Sequence, residues 1–383
     1  MNCNLCGSGK KEKICKLCSN MQILGTFFPN EETDVVVCKK CGNVYVDVNA
    51  TQEDYNNYYK SDSAHSLSYY EVYGKEQANK YFSDILNVFD KYINANSEIV
   101  DIASGVGDFS VFLKEKGYKN VSALDISDRC IKLLQEKNIN AIKSDTIDCA
   151  EKYENKFDLA VFVHSLEHYL DFKSAILSAK KMLKKDGYLY IEVPDASKYC
   201  DIDAVPYTMF TLEHTFHLTL DTIDNIARVC GLTLIDKNSF YKANSYHVLY
   251  GLFKNNGKIE EAIYSSCAKD AVKKYSRFCA EKIKPSIEKY EKTQEKLILW
   301  GVGASTALLL NETFDNCNVI SLIGRNPARQ GLSYKIGSKE LLIEDPSTIK
   351  DEEATIVILP YWYKDSIAKQ IEEMGFKNKI SSL

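Results

Sequence analysis

Three sets of residues have the types and spacing to do chemistry. The first is cysteine. The chain has 13 cysteines, and six of them fall within the first 41 residues. Cys3 and Cys6 open the string CNLCG, and Cys38 and Cys41 open CKKCG, so two matching knuckles each place two thiolates two residues apart. The glycine after each second cysteine lets the backbone turn so that N–H groups face sulfur. Clustered cysteines in a reducing compartment point to metal rather than to disulfides. Cys3, Cys6, Cys38 and Cys41 are therefore expected to hold one zinc ion. Four thiolates close the tetrahedron, leave no position for water, and make the role structural. Cys15 and Cys18 form a third C-x-x-C without the glycine, either a replacement for one pair or free thiols.

The second set lies in EIVDIASGVGDFSVFLKEKGYKNVSALDIS. A strand ends at Asp101, a small-residue turn runs through Ala103, Gly105 and Gly107, and a helix follows. A second strand ends at Asp125, where an acid can accept both ribose hydroxyls of a nucleoside. Such a loop alone also fits nicotinamide and flavin enzymes. This one reads D-x-A-x-G-x-G and lacks the third glycine of the dinucleotide pattern. Asp145, in Ser144-Asp145-Thr146, follows the next strand-like piece, where an acid can meet an adenine amino group.

The third set is Glu213, His214 and His217 in TLEHTFHLTL. A neutral imidazole takes a proton from an acceptor near neutral pH, and an adjacent carboxylate can orient it. The same residues also suit a loop held down by hydrogen bonds. The order E-H-x-x-H is not the H-E-x-x-H of a metalloprotease.

The elements that must position these residues are legible as alternation. KYFSDILNVFDKYI has helical periodicity. EIVDIAS, NVSALDI, FDLAVFV and GYLYIEV are short apolar runs with helical stretches between them, the pattern of a parallel sheet. Thr219 reads as a helix N-cap, with Asp221 in the first turn. A charged helical stretch is predicted from about Ile259 to Lys296. LILWGVGASTALLL, NVISLI and ATIVILP then suggest a second, smaller α/β unit. Three zones follow: 1–60, a zinc-binding module; 61–255, a nucleoside-binding core; 256–383, a C-terminal α/β part. The fold class is α/β, with a Rossmann-like core.

The bulk composition excludes other classes. With 48 basic and 53 acidic side chains the net charge is -5, and no Lys/Arg run marks a nucleic-acid footprint. No apolar stretch approaches a bilayer span. The start, MNCNLCGSGKKEK, has no apolar core of a secretory signal, so a cytoplasmic protein is expected.

Past these residues the sequence resembles the class I S-adenosylmethionine methyltransferases. The H-x-L-E-H block at His164 to His168 and the G-x-L-x-I-x-x-P block at Gly187 to Pro194 carry the resemblance, with the earlier turn, over about 100 residues. It implies that Asp101, Ala103, Gly105 and Gly107 lie near the methionine end of the cofactor. Asp125 and Ile126 lie at the ribose, Asp145 and Thr146 near adenine, and His164 beside the cofactor. Two histidines capping a helix would give the same His164 and His168. The order of zinc module, core and C-terminal Rossmann-like part is similar to the three-domain sugar methyltransferases, notably the C-methyltransferases of nucleotide-linked deoxysugars. That likeness implies His214 as general base, with Glu213 and His217 assisting, and a nucleotide sugar as the small-molecule acceptor. The family carries a Tyr where Thr211 stands and an aromatic where His217 stands. Gly324 occupies the place where a dinucleotide-binding domain would offer an acid, so no second nicotinamide site is expected near Gly301 and Gly303. The C-terminal part then either closes over the substrate or is a degenerate scaffold. The rival expectations are an O- or N-methyltransferase of another small molecule, and a zinc-bearing binding module whose core is a relic.

Overall fold

The structure, a computed structural model, describes residues 1–17, 33–61, 68–202, 206–242, 246–302, 306, 310, 313–327, 329–360 and 364–382. Three sheets organise them. The first holds β1 (Lys11–Leu17), β2 (Thr33–Cys38) and β3 (Val44–Asp47), antiparallel throughout. Alternation sorts its side chains between two faces. Val35, Val37, Val44 and Val46 pack on one side with Tyr55 and Tyr58, and Val36 and Tyr45 on the other with the cysteine cluster.

The central sheet comes next. It holds β4 (Glu98–Ile102), β5 (Asn120–Asp125), β6 (Asn140–Lys143), β7 (Phe157–Val163) and β8 (Leu183–Pro194). The chain then places β9 (Phe216–His217) in the first sheet, against β3. It returns with β10 (Thr233–Lys242) and β11 (Tyr246–Lys254). The central order is β10-β11-β8-β7-β4-β5-β6. β4 pairs in parallel with both β5 and β7, while β11 runs antiparallel to β8 and β10. Ile99, Val100 and Ile102 of β4 and Leu159 to Phe162 of β7 are buried whichever face they point to, the pattern of parallel strands covered on both faces. The helix Lys75–Phe89 shows how: Ala78, Tyr81, Phe82, Ile85 and Phe89 recur at helical spacing and are its buried side. The strand order reverses between β4 and β7, and ligands of such sheets bind in that crevice, beyond the carboxyl ends of the strands.

The third sheet holds β12 (Leu297–Trp300), β13 (Val319–Ile323), β14 (Ser333–Ile336), β15 (Lys339–Glu344), β16 (Thr355–Ile358) and β17 (Ile380–Ser382). It is parallel apart from the β14–β15 hairpin. The molecule is thus a mixed α/β, Rossmann-like fold with parallel sheets.

The predicted helix from Ile259 starts later. The helix spans Cys267–Thr293, with Pro285 inside it. Before it, the backbone N–H groups find partners that a helix would not offer. Glu260 N donates to Arg228 O at 2.8 Å, Ile263 N to Asn225 Oδ1 at 2.7 Å, and Ser265 N to Cys41 O at 3.4 Å. Residues 257–266 therefore run as an extended strap beside the cysteine cluster. Gly42, at φ 79°, admits the strap: a Cβ there would lie 1.7 Å from Ser265 O. Among the described residues no helix is long and apolar enough to cross a membrane.

Candidate active site

The glycine turn sits at the tip of β4. Asp101, 3% exposed, accepts a hydrogen bond from Ser110 Oγ at 2.7 Å. Burial pushes its carboxyl up to about 7; the nearby negative charge of Asp125 pushes the same way and the Ser110 bond opposes. Ala103, Gly105 and Gly107 all adopt positive φ, at 52°, 56° and 77°. Ala103 thus holds a left-handed conformation that favours glycine.

Asp125, at the tip of β5, ties the two loops together. Its Oδ2 accepts from Gly105 N at 2.8 Å and its Oδ1 from Ser127 N at 2.9 Å. Burial raises this carboxyl too, against those backbone bonds. Asp145 caps the short helix Thr146–Cys149, accepting from Ile147 N at 2.6 Å.

A cavity of about 490 Å³ opens over these tips. Asp101, Ala103, Gly105, Asp125, Ile126, Asp145 and His164 all line it, as do Glu213 and His214. Three expected residues do not. Gly107 packs against the next helix, where a Cβ would meet Leu134 Cδ2 at 2.1 Å, so this glycine serves packing. Thr146 is fully buried, its hydroxyl 2.7 Å from Tyr169 Oη. His217 is the third. It lies in β9, is 0% exposed, and places Nδ1 3.1 Å from Tyr199 Oη. Burial drives its pKa down to about 3. It cannot assist at the cavity, because its strand position turns it into the sheet's interior.

The other side of the cavity holds the expected His164 beside Glu192, Lys242 and Tyr246, which have no part in the sequence expectations. His164, at φ 50°, is buried between two carboxylates: Nδ1 lies 3.2 Å from Glu167 Oε1 and Nε2 3.2 Å from Glu192 Oε1. Burial, and then the charge of Lys242, hold this imidazole neutral. Glu192 is 0% exposed and accepts from Tyr190 Oη at 2.8 Å and from Tyr81 Oη; burial raises it to about 7. It sits in the strand run GYLYIEV, where an acid between apolar residues reads as a solvent-facing position. Lys242, at the tip of β10, and Tyr246 line the cavity as well.

The candidate base is set by the N-terminal elements. Tyr58 Oη, from helix Gln52–Ser61, donates to Glu213 Oε1, and Tyr55 Oη donates to Leu212 O at 2.7 Å. Val46 N donates to Thr215 O at 2.9 Å. His214 N donates to Thr211 Oγ1 at 3.1 Å, and both residues line the cavity. The His214 ring stands 5.2 Å from that of His168, whose Nδ1 lies 2.9 Å from Tyr59 Oη and 3.2 Å from Glu213 O.

The four expected cysteines converge. Cys3 and Cys41 Sγ are 3.6 Å apart, Cys6 and Cys38 Sγ 3.5 Å, and all four sulfurs lie within 4.8 Å of one another. A tetrahedral zinc thiolate site separates its sulfurs by about 3.8 Å, so the donor set fits. Lys40 N points at Cys38 Sγ at 3.4 Å, as the knuckle turn requires. Cys15 lies on β1, apart from the cluster, and Cys18 falls outside the described residues.

Residues 73–237 match the family model of the methyltransferase domain, so the protein is a methyltransferase. No curated protein matches the chain. Among solved structures, it is similar to a SAM-dependent methyltransferase from Archaeoglobus fulgidus at 18% identity and TM-score 0.39, covering 49% of this chain and 100% of that one. It is similar to the 1,6-didemethyltoxoflavin-N1-methyltransferase of Burkholderia thailandensis, solved with S-adenosylhomocysteine, at 18% identity and TM-score 0.42, covering 58% and 98%. A putative methyltransferase from Bacillus halodurans is similar at 13% identity and TM-score 0.38, covering 46% and 99%.

Proposed function

We propose that this protein transfers the methyl group of S-adenosylmethionine to a nucleotide-linked sugar, in deoxysugar or surface-glycan biosynthesis, with His214 as general base. One observation carries the reading. The acids suited to a nucleoside, Asp125 and Asp145, and the candidate base share the wall of one cavity. In this reading the cofactor lies over the β4–β5–β6 tips and the acceptor over the β7–β8–β10 side.

Bound S-adenosylmethionine supplies an electrophilic methyl group on a sulfonium leaving group. The chain aligns the acceptor and removes its proton. Asp125 receives the ribose hydroxyls, Asp145 the adenine edge, and Asp101 the methionine end. His214 takes the acceptor proton at its ring nitrogen. The segment from Leu212 to Thr215 is held by bonds from Tyr55, Tyr58 and Val46, which limits the motion of that ring. Zinc on Cys3, Cys6, Cys38 and Cys41 is structural, and the division into 1–60, 61–255 and 256–383 follows the same reading.

Thr211 favours O-methylation over C-methylation. It puts a small side chain on the cavity wall where the family carries Tyr, and a hydroxyl acceptor forms no enolate that would need stabilising. Calorimetry with S-adenosylmethionine, followed by mass spectrometry on a panel of nucleotide sugars, is the test. Binding with a gain of one methyl on a sugar is expected. No binding overturns the donor assignment, and methylation of a non-sugar acceptor alone overturns the substrate class.

A further inference from the structure

Lys242 is buried, 4% exposed, and lines the active cavity. Tyrosine rings surround its ammonium: Nζ lies 4.8 Å from the centroid of Tyr69, 5.0 Å from Tyr246, 5.8 Å from Tyr81 and 6.0 Å from Tyr73. Its single hydrogen bond among the described residues runs to Tyr246 Oη at 3.3 Å, and it forms no ion pair there. The carboxylates that face it, Glu192 and Glu167, already hold His164 from two sides. An ammonium has three donors, and a buried charge without a counterion is costly. The cavity is the side left for a partner.

We propose that Lys242 is the anion anchor of the acceptor site, binding a phosphate or carboxylate oxygen of the substrate. This rests on the methyltransferase reading of the cavity. β10 is the outer strand on one flank of the central sheet and β6 on the other, so Lys242 stands across the cavity from Asp125 and Asp145. An anionic acceptor is held by its charged group while the group to be methylated faces His214. The tyrosine box excludes water, which strengthens the attraction. Burial lowers the ammonium to about 8, with Glu192 and Glu167 opposing. Anion binding therefore weakens as pH rises through that value, and Glu192, raised by burial to about 7, gains its charge just below it and pushes the same way. Tyr69, Tyr81 and Tyr246, which face Nζ with Tyr73, are held neutral by burial, and His164 is already neutral.

Inorganic sulfate, whose charge is constant over this range, is titrated into protein saturated with S-adenosylhomocysteine, at about pH 7 and about pH 9.5. Saturable binding is expected at the lower pH and a loss of roughly tenfold or more at the higher one. Lys242→Met loses it to a similar extent, Lys242→Arg keeps it within about threefold, and both variants keep wild-type affinity for S-adenosylhomocysteine. Three results overturn the proposal: no saturable binding to the wild type, equal binding to Lys242→Met, or a parallel fall in that variant's affinity for S-adenosylhomocysteine. The last would assign the ammonium to the donor's own carboxylate. Failure of the wild type to bind S-adenosylhomocysteine would instead overturn the donor reading.

Discussion

Val44, three residues after the last clustered cysteine, is the antiparallel partner of His217, three residues after His214. The cysteine cluster and the candidate base therefore precede adjacent strands of one sheet, at opposite ends of an antiparallel pair. Tyr45 pairs with Phe216 beside them, and Phe216 packs in the same core as Cys3, Cys38 and Cys41.

From this pairing, metal loss is expected to reach the active cavity. Cys38→Ser should lower bound zinc from one per chain and cut turnover, since an unfolded knuckle removes the neighbour of β9. Metal analysis and activity on the same sample check it. Full zinc occupancy in the variant would break the ligand assignment.

Asp125→Ala should weaken S-adenosylmethionine binding by about 2–4 kcal/mol. The variant loses the ribose acceptor and also releases Gly105 N, which the carboxylate now holds at 2.8 Å. Calorimetry on folded protein reads the effect. Unchanged affinity would mean that the ribose lies elsewhere.

His214→Asn should cost roughly 10²–10⁴ in turnover while S-adenosylmethionine binding stays within a few-fold. His217→Phe gives the contrast. Its target is fully buried at the end of β9, so stability should fall by about 1–3 kcal/mol and the folded fraction should methylate normally. Steady-state rates corrected for folded protein separate the two. A catalytic defect in His217→Phe comparable to that of His214→Asn would return His217 to the site.

Glu192 gives a pH signature. Its carboxyl rises to about 7 in the fold, chiefly through burial, from an ordinary value of 4.5. Folded protein thus keeps a proton that unfolded chain releases. The stability this permits is full below about pH 4.5 and lost as pH rises toward 7. Glu192→Gln has no proton to lose. Its stability relative to wild type should therefore improve between about pH 5 and about pH 8, by at most about 3 kcal/mol. Denaturant melts at the two pH values check it; a constant difference would show that Glu192 is ionised throughout.

The central strands were legible because burial on both faces writes them as apolar runs: EIVDI, NVSALD and FDLAVFV read as strands and are β4, β5 and β7. The cysteine pairs and the acids at strand tips were legible because their spacing is local. What escaped depends on distant partners. β9 is two residues long, and only pairing with Val44, 173 positions earlier, makes it a strand. His217 looked like a site residue for that reason. β10 carries mixed polar side chains along its length, so Lys242 gave no sign of its tyrosine box. The strap before Cys267 reads as helix because nothing local reveals that Asn225 and Cys41 take its amides.

Pro285 has no N–H to offer the carbonyl of Glu281 one turn earlier, so the helix Cys267–Thr293 is weakest there. Its length is shared between two cores. Val272, Tyr275 and Cys279 pack with the first sheet, and Ile283, Ile287 and Tyr290 with the third, so the change of core falls just before the proline. Tyr275 Oη also accepts from Met209 N at 3.2 Å, and Cys279 Sγ from Tyr207 N at 3.1 Å, which fixes the segment carrying Thr208 and Met209 along the cavity. Both anchors lie on the N-terminal side of the proline. The helix is therefore a shared beam, with the active cavity bolted to one half and the third sheet to the other, and Tyr207, packed against the third sheet's core as well, ties the two together. A shift of the third sheet would thus be felt, through Tyr207, in the segment leading to His214.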